Sequence, residues 1–170
     1  ALQSLAFAVL ADAPVDAAIR VELLRTLATA AGSTGMCGGQ ALDLDATGNG
    51  GTTLTVAELE YLHRCKTGAL IRAAVRMGAS CGNAGTADLA RLDDYADALG
   101  LAFQVRDDIL DVEGDSATLG KTAGKDAAQD KATFPALIGM QASRDRLAEL
   151  GAGMLDALEP FGKRADALRE

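Results

Sequence analysis

Three acidic residues close an apolar stretch in the segment 99-LGLAFQVRDDILDV-112. On a helix, which advances about 100° per residue, Asp107 and Asp111 lie about 40° apart on one face. Carboxylates so close repel one another unless a cation lies between them. Mg²⁺ prefers such hard oxygen ligands, and it usually reaches a protein through one or two carboxylates together with substrate phosphates. The segment therefore predicts a helix that ends in a magnesium–diphosphate site.

The composition of the chain favours a helical fold. Its 170 residues are enough for one domain with a core, and 49% of them are hydrophobic against 24% charged. Good helix formers such as alanine and leucine are abundant, aromatic residues make up only 4%, and no strand alternation is visible. We therefore expect an all-α protein.

Charge, hydropathy and cysteine content indicate which partners and which location to expect. The net charge is −8, whereas non-specific binding of nucleic acids needs a basic surface, so we expect no nucleic-acid partner. No run of 18 apolar residues occurs, which predicts no membrane span. The odd number of cysteines and their spacing indicate reduced, half-buried thiols in a cytoplasmic protein at Cys37, Cys65 and Cys81.

Periodicity and capping signals divide the chain into helices. We predict helices over residues 1–11, 15–31, 55–79, 86–112 and 147–158, and another that begins near residue 131. The first should be the end of a buried helix, because it is nearly all apolar. The glycines of segment 33–45 allow close approach between helices. We expect an exposed position for His63, and a core stripe on the helix over 86–112 formed by Leu89, Leu92, Leu99 and Phe103.

A second acid triplet, at Asp93, Asp94 and Asp97, has the same spacing as the first. The two triplets start 14 residues apart, or about 21 Å along one helix, whereas bridged metal ions lie about 4 Å apart. Both therefore cannot hold one metal cluster. The upstream acids lie nearer the helix N-terminus, where negative charge is favourable, while the downstream acids lie where it costs stability. We assign the metal to the downstream triplet, which is formed by Asp107, Asp108 and Asp111.

Several segments resemble one protein family, in the same order along the chain. They are 35-GMCGGQALDL-44, 63-HRCKTGAL-70, 103-FQVRDDILD-111 with Gly120-Lys121, and 124-GKD-126 through 131-KATFP-135. Together they resemble the trans-isoprenyl diphosphate synthases, in particular the bacterial farnesyl diphosphate synthase (geranyltranstransferase) type. The resemblance implies a helical bundle of the isoprenoid-synthase type, which is expected to form a homodimer.

The same resemblance implies roles for the matching residues. The Mg²⁺ ligands would be Asp107, Asp108 and Asp111. The substrate-binding residues would be Lys66, Thr67, Gln104, Lys121, Lys131, Gln40 and Asp43. The catalytic set would be Lys66, Thr67, Gln104 and Asp107.

The implied reaction joins an allylic diphosphate to isopentenyl diphosphate, and the expected product is farnesyl diphosphate. It would proceed through ionisation of the allylic diphosphate, attack by the double bond of isopentenyl diphosphate, and loss of a proton. Cations arranged around the leaving diphosphate stabilise the transition state more than the ground state. A cavity between apolar helices keeps water away from the carbocation.

One part of the family pattern has no match here, namely a first aspartate-rich motif on a facing helix. We therefore expect residues 1–170 to be the C-terminal half of a single synthase domain, inactive on its own. Two alternatives stay open. The first is a non-catalytic regulatory or partner subunit of the same fold. The second is a terpene cyclase, although Gly120-Lys121 and Lys131 favour a chain-elongating enzyme.

Overall fold

The computed structural model describes residues 2–47, 54–114 and 132–170, and within these ranges all regular structure is helical. The helices are α1 (Leu2–Ala11), α2 (Ala17–Ala31), α3 (Met36–Thr47), α4 (Val56–His63), α5 (Ala69–Cys81), α6 (Thr86–Glu113), α7 (Phe134–Ile138), α8 (Met140–Leu158) and α9 (Asp166–Arg169). A π-helical turn, Arg64–Gly68, joins α4 to α5, and a 3₁₀ segment, Glu159–Ala165, joins α8 to α9. The all-α prediction is confirmed. None of the helices described combines the length and apolar composition needed to cross a bilayer.

Helix α6 is the centre of the described bundle. It packs along α8 on one side and along α5 and the π turn on the other. Its middle contributes to a core cluster formed by Leu59, Leu101, Ala102, Val105, Ile109, Phe134 and Leu150. Nearer its beginning, it contributes to a second cluster formed by Tyr95, Ala96, Ala157, Leu158 and Ala165. The end of α6 that carries the downstream acids is therefore anchored by the first of these cores.

The buried surface of α6 differs from the predicted stripe. Phe103 is 58% exposed, and its prediction as a core residue is wrong. The other three stripe residues are only half-buried, while Leu101 and Val105 are almost fully buried. The difference arises because α6 is covered from two directions, by α5 and by α8, so its buried face is broader than one helical stripe.

Helix α1 forms where the sequence predicts it, but it is not buried. None of its residues is buried, and Leu2 is 83% exposed. Its contacts are mainly with α2, so most of its apolar surface faces solvent in the structure described. The expectation of a buried helix is therefore wrong for this chain.

The cysteines agree only in part with the prediction. All three are free thiols, but Cys37 and Cys81 are exposed and Cys65 alone is half-buried. The two exposed thiols lie near the start of α3 and at the end of α5.

A capping box opens α4, where the sequence predicts that a helix begins at residue 55. The Thr55 hydroxyl accepts the Glu58 backbone N–H at 3.3 Å, and the Glu58 carboxylate accepts the Thr55 backbone N–H at 2.8 Å. Two backbone donors at the start of the helix are satisfied in this way. The cap therefore fixes where the helix that carries the π turn begins.

Replacing Thr55 with alanine removes the hydroxyl acceptor and should lower the free energy of unfolding by about 1 kcal/mol. Urea denaturation of the complete protein that contains this chain measures the change. Thr55→Ser keeps the hydroxyl and should behave like the wild type. Equal stability of the alanine and serine variants would contradict the role given to this cap.

Candidate active site

The helix formed by α4 and α5 carries a π-helical turn in its middle, at Arg64–Gly68. Such a turn inserts one residue into the helical ladder and frequently occurs at functional sites. Lys66 and Thr67, two residues of the predicted site, lie inside it. The sequence does not predict this turn, because no composition or spacing signal distinguishes it from continuous α-helix.

The π turn directs the side chains of Lys66 and Thr67 to different helices. Lys66 Nζ donates to Asp43 Oδ2 of α3 at 2.6 Å, and this ion pair is mostly shielded from solvent. Thr67 Oγ1 donates to Gln104 Oε1 of α6 at 3.2 Å. The turn therefore brings together four predicted site residues from three separate segments of the chain.

Two glycines allow the π turn to approach its neighbours so closely. A Cβ atom on Gly39 would lie 2.2 Å from the backbone nitrogen of Lys66. A Cβ atom on Gly100 would lie 2.8 Å from the Cα atom of Gly68. Both contacts are made with backbone, which no change of rotamer can relieve. The predicted close approach at the glycine-rich segment is confirmed at Gly39, where the partner is the lysine turn itself.

The downstream acid triplet is divided between two environments. Asp107 is exposed and Asp111 is half-buried, so the two acids that the spacing places on one face are the more accessible ones. Asp108 is only 6% exposed, and its Oδ2 accepts the backbone N–H of Phe134 at 2.9 Å. The role of Asp108 as a metal ligand stays a prediction, while its bond to Phe134 is what the structure shows.

A cavity of about 40 Å³ lies where these elements meet. Its polar lining comes from α3, the π turn, α4 and α6, and includes Asp43, His63, Lys66, Gln104, Asp107 and Asp108. A lysine ammonium, an amide and carboxylates thus face one small space. The lining therefore combines groups that can bind an anion with carboxylates that can bind a cation.

The remaining predicted residues fall elsewhere. Gln40 is exposed on α3 and is not among the described residues that line the cavity. Lys121 and Lys131 lie outside the described residues, as does Gly120. The prediction that His63 is exposed is wrong, because it is buried and its ring stacks on Phe134 with the centroids 5.9 Å apart. The reason is that α4 turns this side toward α6 and α7.

The upstream triplet has cationic partners on α5. Asp93 Oδ2 accepts hydrogen bonds from Arg72 at 3.1 Å and from Arg76, and Asp97 accepts one from Arg72 at 3.4 Å. Burial raises the pKa of Asp97, while Arg72 acts in the opposite direction. These ion pairs neutralise Asp93 and Asp97 and fasten α5 to α6, so a metal is not needed to explain this pair of acids.

The donor set at the end of α6 fits magnesium. Among the residues described, no three His, Cys, Asp or Glu side chains come together as a complete metal site. Asp107 and Asp111 could therefore hold a cation only with additional ligands, such as water and phosphate oxygens. Mg²⁺ commonly binds in this way, whereas structural zinc requires four protein ligands.

Comparison with known proteins gives a consistent result. A family model described as polyprenyl synthetase matches residues 1–156. The farnesyl diphosphate synthase of Escherichia coli (strain K12) is 53% identical over 154 residues, which cover 88% of this chain and 50% of that protein. The chain spans about half the length of the curated relatives it matches.

Solved structures show the same similarity. An FPP/GFPP synthase from Zymomonas mobilis superposes with a TM-score of 0.85 at 36% identity, over 99% of this chain and 55% of that chain. A geranyltransferase from Helicobacter pylori, solved in complex with magnesium and isoprenyl diphosphate, gives a TM-score of 0.79 at 32% identity. That match covers 93% of this chain and 51% of the other.

Proposed function

This chain belongs to the polyprenyl synthetase family, and we propose that its 170 residues form the C-terminal half of a prenyltransferase domain. The proposed activity is the Mg²⁺-dependent, head-to-tail condensation of an allylic diphosphate with isopentenyl diphosphate. Relatives named farnesyl diphosphate synthase support farnesyl diphosphate as the product. The observation that carries the proposal is the meeting of Lys66, Gln104 and Asp107 at one cavity.

Asp107 and Asp111 would hold magnesium, which when bound supplies positive charge to the departing diphosphate. The exposed carboxylate of Asp107 and the half-buried one of Asp111 suit this role, since both lie on the accessible side of α6. Lys121 and Lys131 are proposed as further diphosphate contacts from the family pattern alone. Gln40 is proposed in the same way, as a cavity residue.

Lys66 is the diphosphate contact with the strongest structural support. Its bond to Asp43 leaves two of the three ammonium hydrogens available for phosphate oxygens. The same bond holds the ammonium in place before the substrate arrives. A cation fixed in advance stabilises the negative charge that develops on the leaving group without the cost of reorganisation.

Gln104 is oriented by Thr67. Because the amide oxygen accepts the threonine hydroxyl, the NH₂ group of Gln104 stays available as a donor to the bound substrate. Thr67 thus acts on the site through Gln104, and both are anchored by the close contact of the π turn with α6 at Gly100.

Two further expectations follow from family membership: a homodimer and a cytoplasmic location. Sedimentation equilibrium of the complete protein tests the first, and cell fractionation tests the second. Neither bears on the chemistry proposed for the cavity.

Product analysis tests the function directly. The complete protein that contains this chain, given geranyl diphosphate, isopentenyl diphosphate and Mg²⁺, should release farnesyl diphosphate and inorganic pyrophosphate. A cyclic hydrocarbon formed without isopentenyl diphosphate would instead identify a terpene cyclase. Absence of turnover, with Mg²⁺-dependent pyrophosphate binding retained, would identify a non-catalytic partner subunit.

A further inference from the structure

We propose that Asp108 is a positioning residue, which fixes Phe134 and the start of α7 beside the cavity, and is not a ligand of the metal. The inference rests on the proposed function and deepens it, because it separates the three acids of one motif into two different roles. Asp107 and Asp111 would hold the cation, while Asp108, which also borders the cavity, would hold one of its walls in place.

The first observation is the burial of the Asp108 carboxylate. Burying a carboxylate is costly unless hydrogen bonds compensate for the lost water. The bond from the Phe134 backbone N–H, at 2.9 Å, supplies such compensation. Asp94 occupies the same middle position in the upstream triplet of the same helix, and it is exposed. Motif spacing therefore does not explain the burial of Asp108, whereas the contact with α7 does.

The second observation is that Phe134 is held from two sides. Its ring is fully buried in the core and stacks on His63 of α4, while its N–H is bound by Asp108 of α6. That N–H belongs to the first turn of α7, where helices leave backbone donors without intrahelical partners. Thr133 satisfies a second donor in this turn, since its hydroxyl accepts the Ala136 N–H at 3.3 Å.

The third observation links the contacts of Phe134 to the cavity. Ala132 lies two residues before Phe134 and lines the same cavity as Asp107 and Lys66. A shift of Phe134 would move that wall relative to Asp107. Removing the Asp108 acceptor should therefore disturb the geometry of the site without removing a ligand from the cation.

Two substitutions separate positioning from metal binding, and both are made in the complete protein. Asp108→Asn keeps an oxygen that can accept the Phe134 N–H, whereas Asp108→Ala does not. We expect Asp108→Ala to lower kcat by up to about 100-fold, the size of effect that a displacement of about 1 Å in a site can have. Asp108→Asn should restore most of that loss. The Mg²⁺ concentration that gives half-maximal rate should stay at its wild-type value in both.

Hydrogen exchange gives a readout that does not depend on activity. The amide of Phe134 should exchange faster in Asp108→Ala than in the wild type, because its acceptor is gone. Asp107→Asn serves as the contrasting variant, and it should raise the Mg²⁺ requirement while leaving the exchange at Phe134 unchanged. Asp94→Asn is the matched control and should change neither quantity.

The inference is overturned if Asp108→Asn raises the Mg²⁺ requirement as far as Asp107→Asn does, or if exchange at Phe134 is unchanged in Asp108→Ala. If Asp108→Ala does not fold, the comparison between Asp108→Asn and Asp107→Asn decides the question. An unaltered rate in Asp107→Asn would refute the metal role proposed for Asp107, while product analysis still tests the function, and exchange at Phe134 would then decide the role of Asp108 by itself.

Discussion

Asp107→Ala in the complete protein should reduce kcat by at least about 100-fold, which is the effect of removing one electrostatic contact to a developing charge. Asp107 is the exposed acid that lines the cavity, and it lies one helical turn before Asp111. Without it, the cation would lose one of the two carboxylates proposed to hold it. Steady-state release of pyrophosphate, measured over a range of Mg²⁺ concentrations, gives the size of the loss.

Asp94→Ala is the matched control for this experiment. It removes an exposed carboxylate from the same helix, in the triplet that is tied to arginines of α5, and it should leave the rate at its wild-type value. A rate near that of the wild type for Asp107→Ala would show that the metal assignment is wrong. An equal loss in both variants would show that the total negative charge of α6 matters, and not a specific contact of Asp107.

Gly39→Ala should destabilise the protein by about 2–3 kcal/mol, the upper part of the usual range for an overpacked contact. The added Cβ would lie 2.2 Å from the backbone nitrogen of Lys66 and 2.6 Å from its Cα atom. Helix α3 would have to move away from the π turn, and the ion pair between Lys66 and Asp43 would open. Urea denaturation reports the loss of stability, and a raised KM for the allylic diphosphate reports the displacement of the ammonium.

Gly153→Ala is a control for which we expect stability to rise and not to fall. Gly153 lies in α8, where an added Cβ meets nothing within 4 Å. The same substitution there should raise stability by about 0.5–1 kcal/mol, because alanine is the better helix former. Unchanged or increased stability of Gly39→Ala would contradict the close approach of α3 to the π turn.

Local signals in the sequence predict much of the fold. The capping box at Thr55 and Glu58 places the start of α4 correctly, because its partners are only three residues apart. The end of α5 and the start of α6 follow from the glycines at residues 82 and 85, which lie at the caps of the two helices. Such features depend on neighbours along the chain, which a single sequence displays.

Features that depend on distant contacts could not be predicted in the same way. The π turn, the exposure of Phe103 and the burial of His63 all result from how neighbouring helices pack. The candidate site shows the same difference between local features and features that depend on distant contacts. The family resemblance named all four residues but not how they pair. Lys66 bonds to Asp43, 23 residues away along the chain, and Thr67 bonds to Gln104, 37 residues away. The bond from Phe134 to Asp108 likewise spans 26 residues, so the sequence alone assigned all three acids one role.

Calorimetric titration of inorganic pyrophosphate into the complete protein tests most directly whether the acids at the end of α6 share a cation with a diphosphate. The wild type should bind pyrophosphate with Mg²⁺ present and bind it far more weakly without the metal. The double variant Asp107→Asn, Asp111→Asn should lose this dependence on Mg²⁺ while keeping its fold. Binding that is equally tight in both proteins, or equally tight with and without Mg²⁺, would contradict the account.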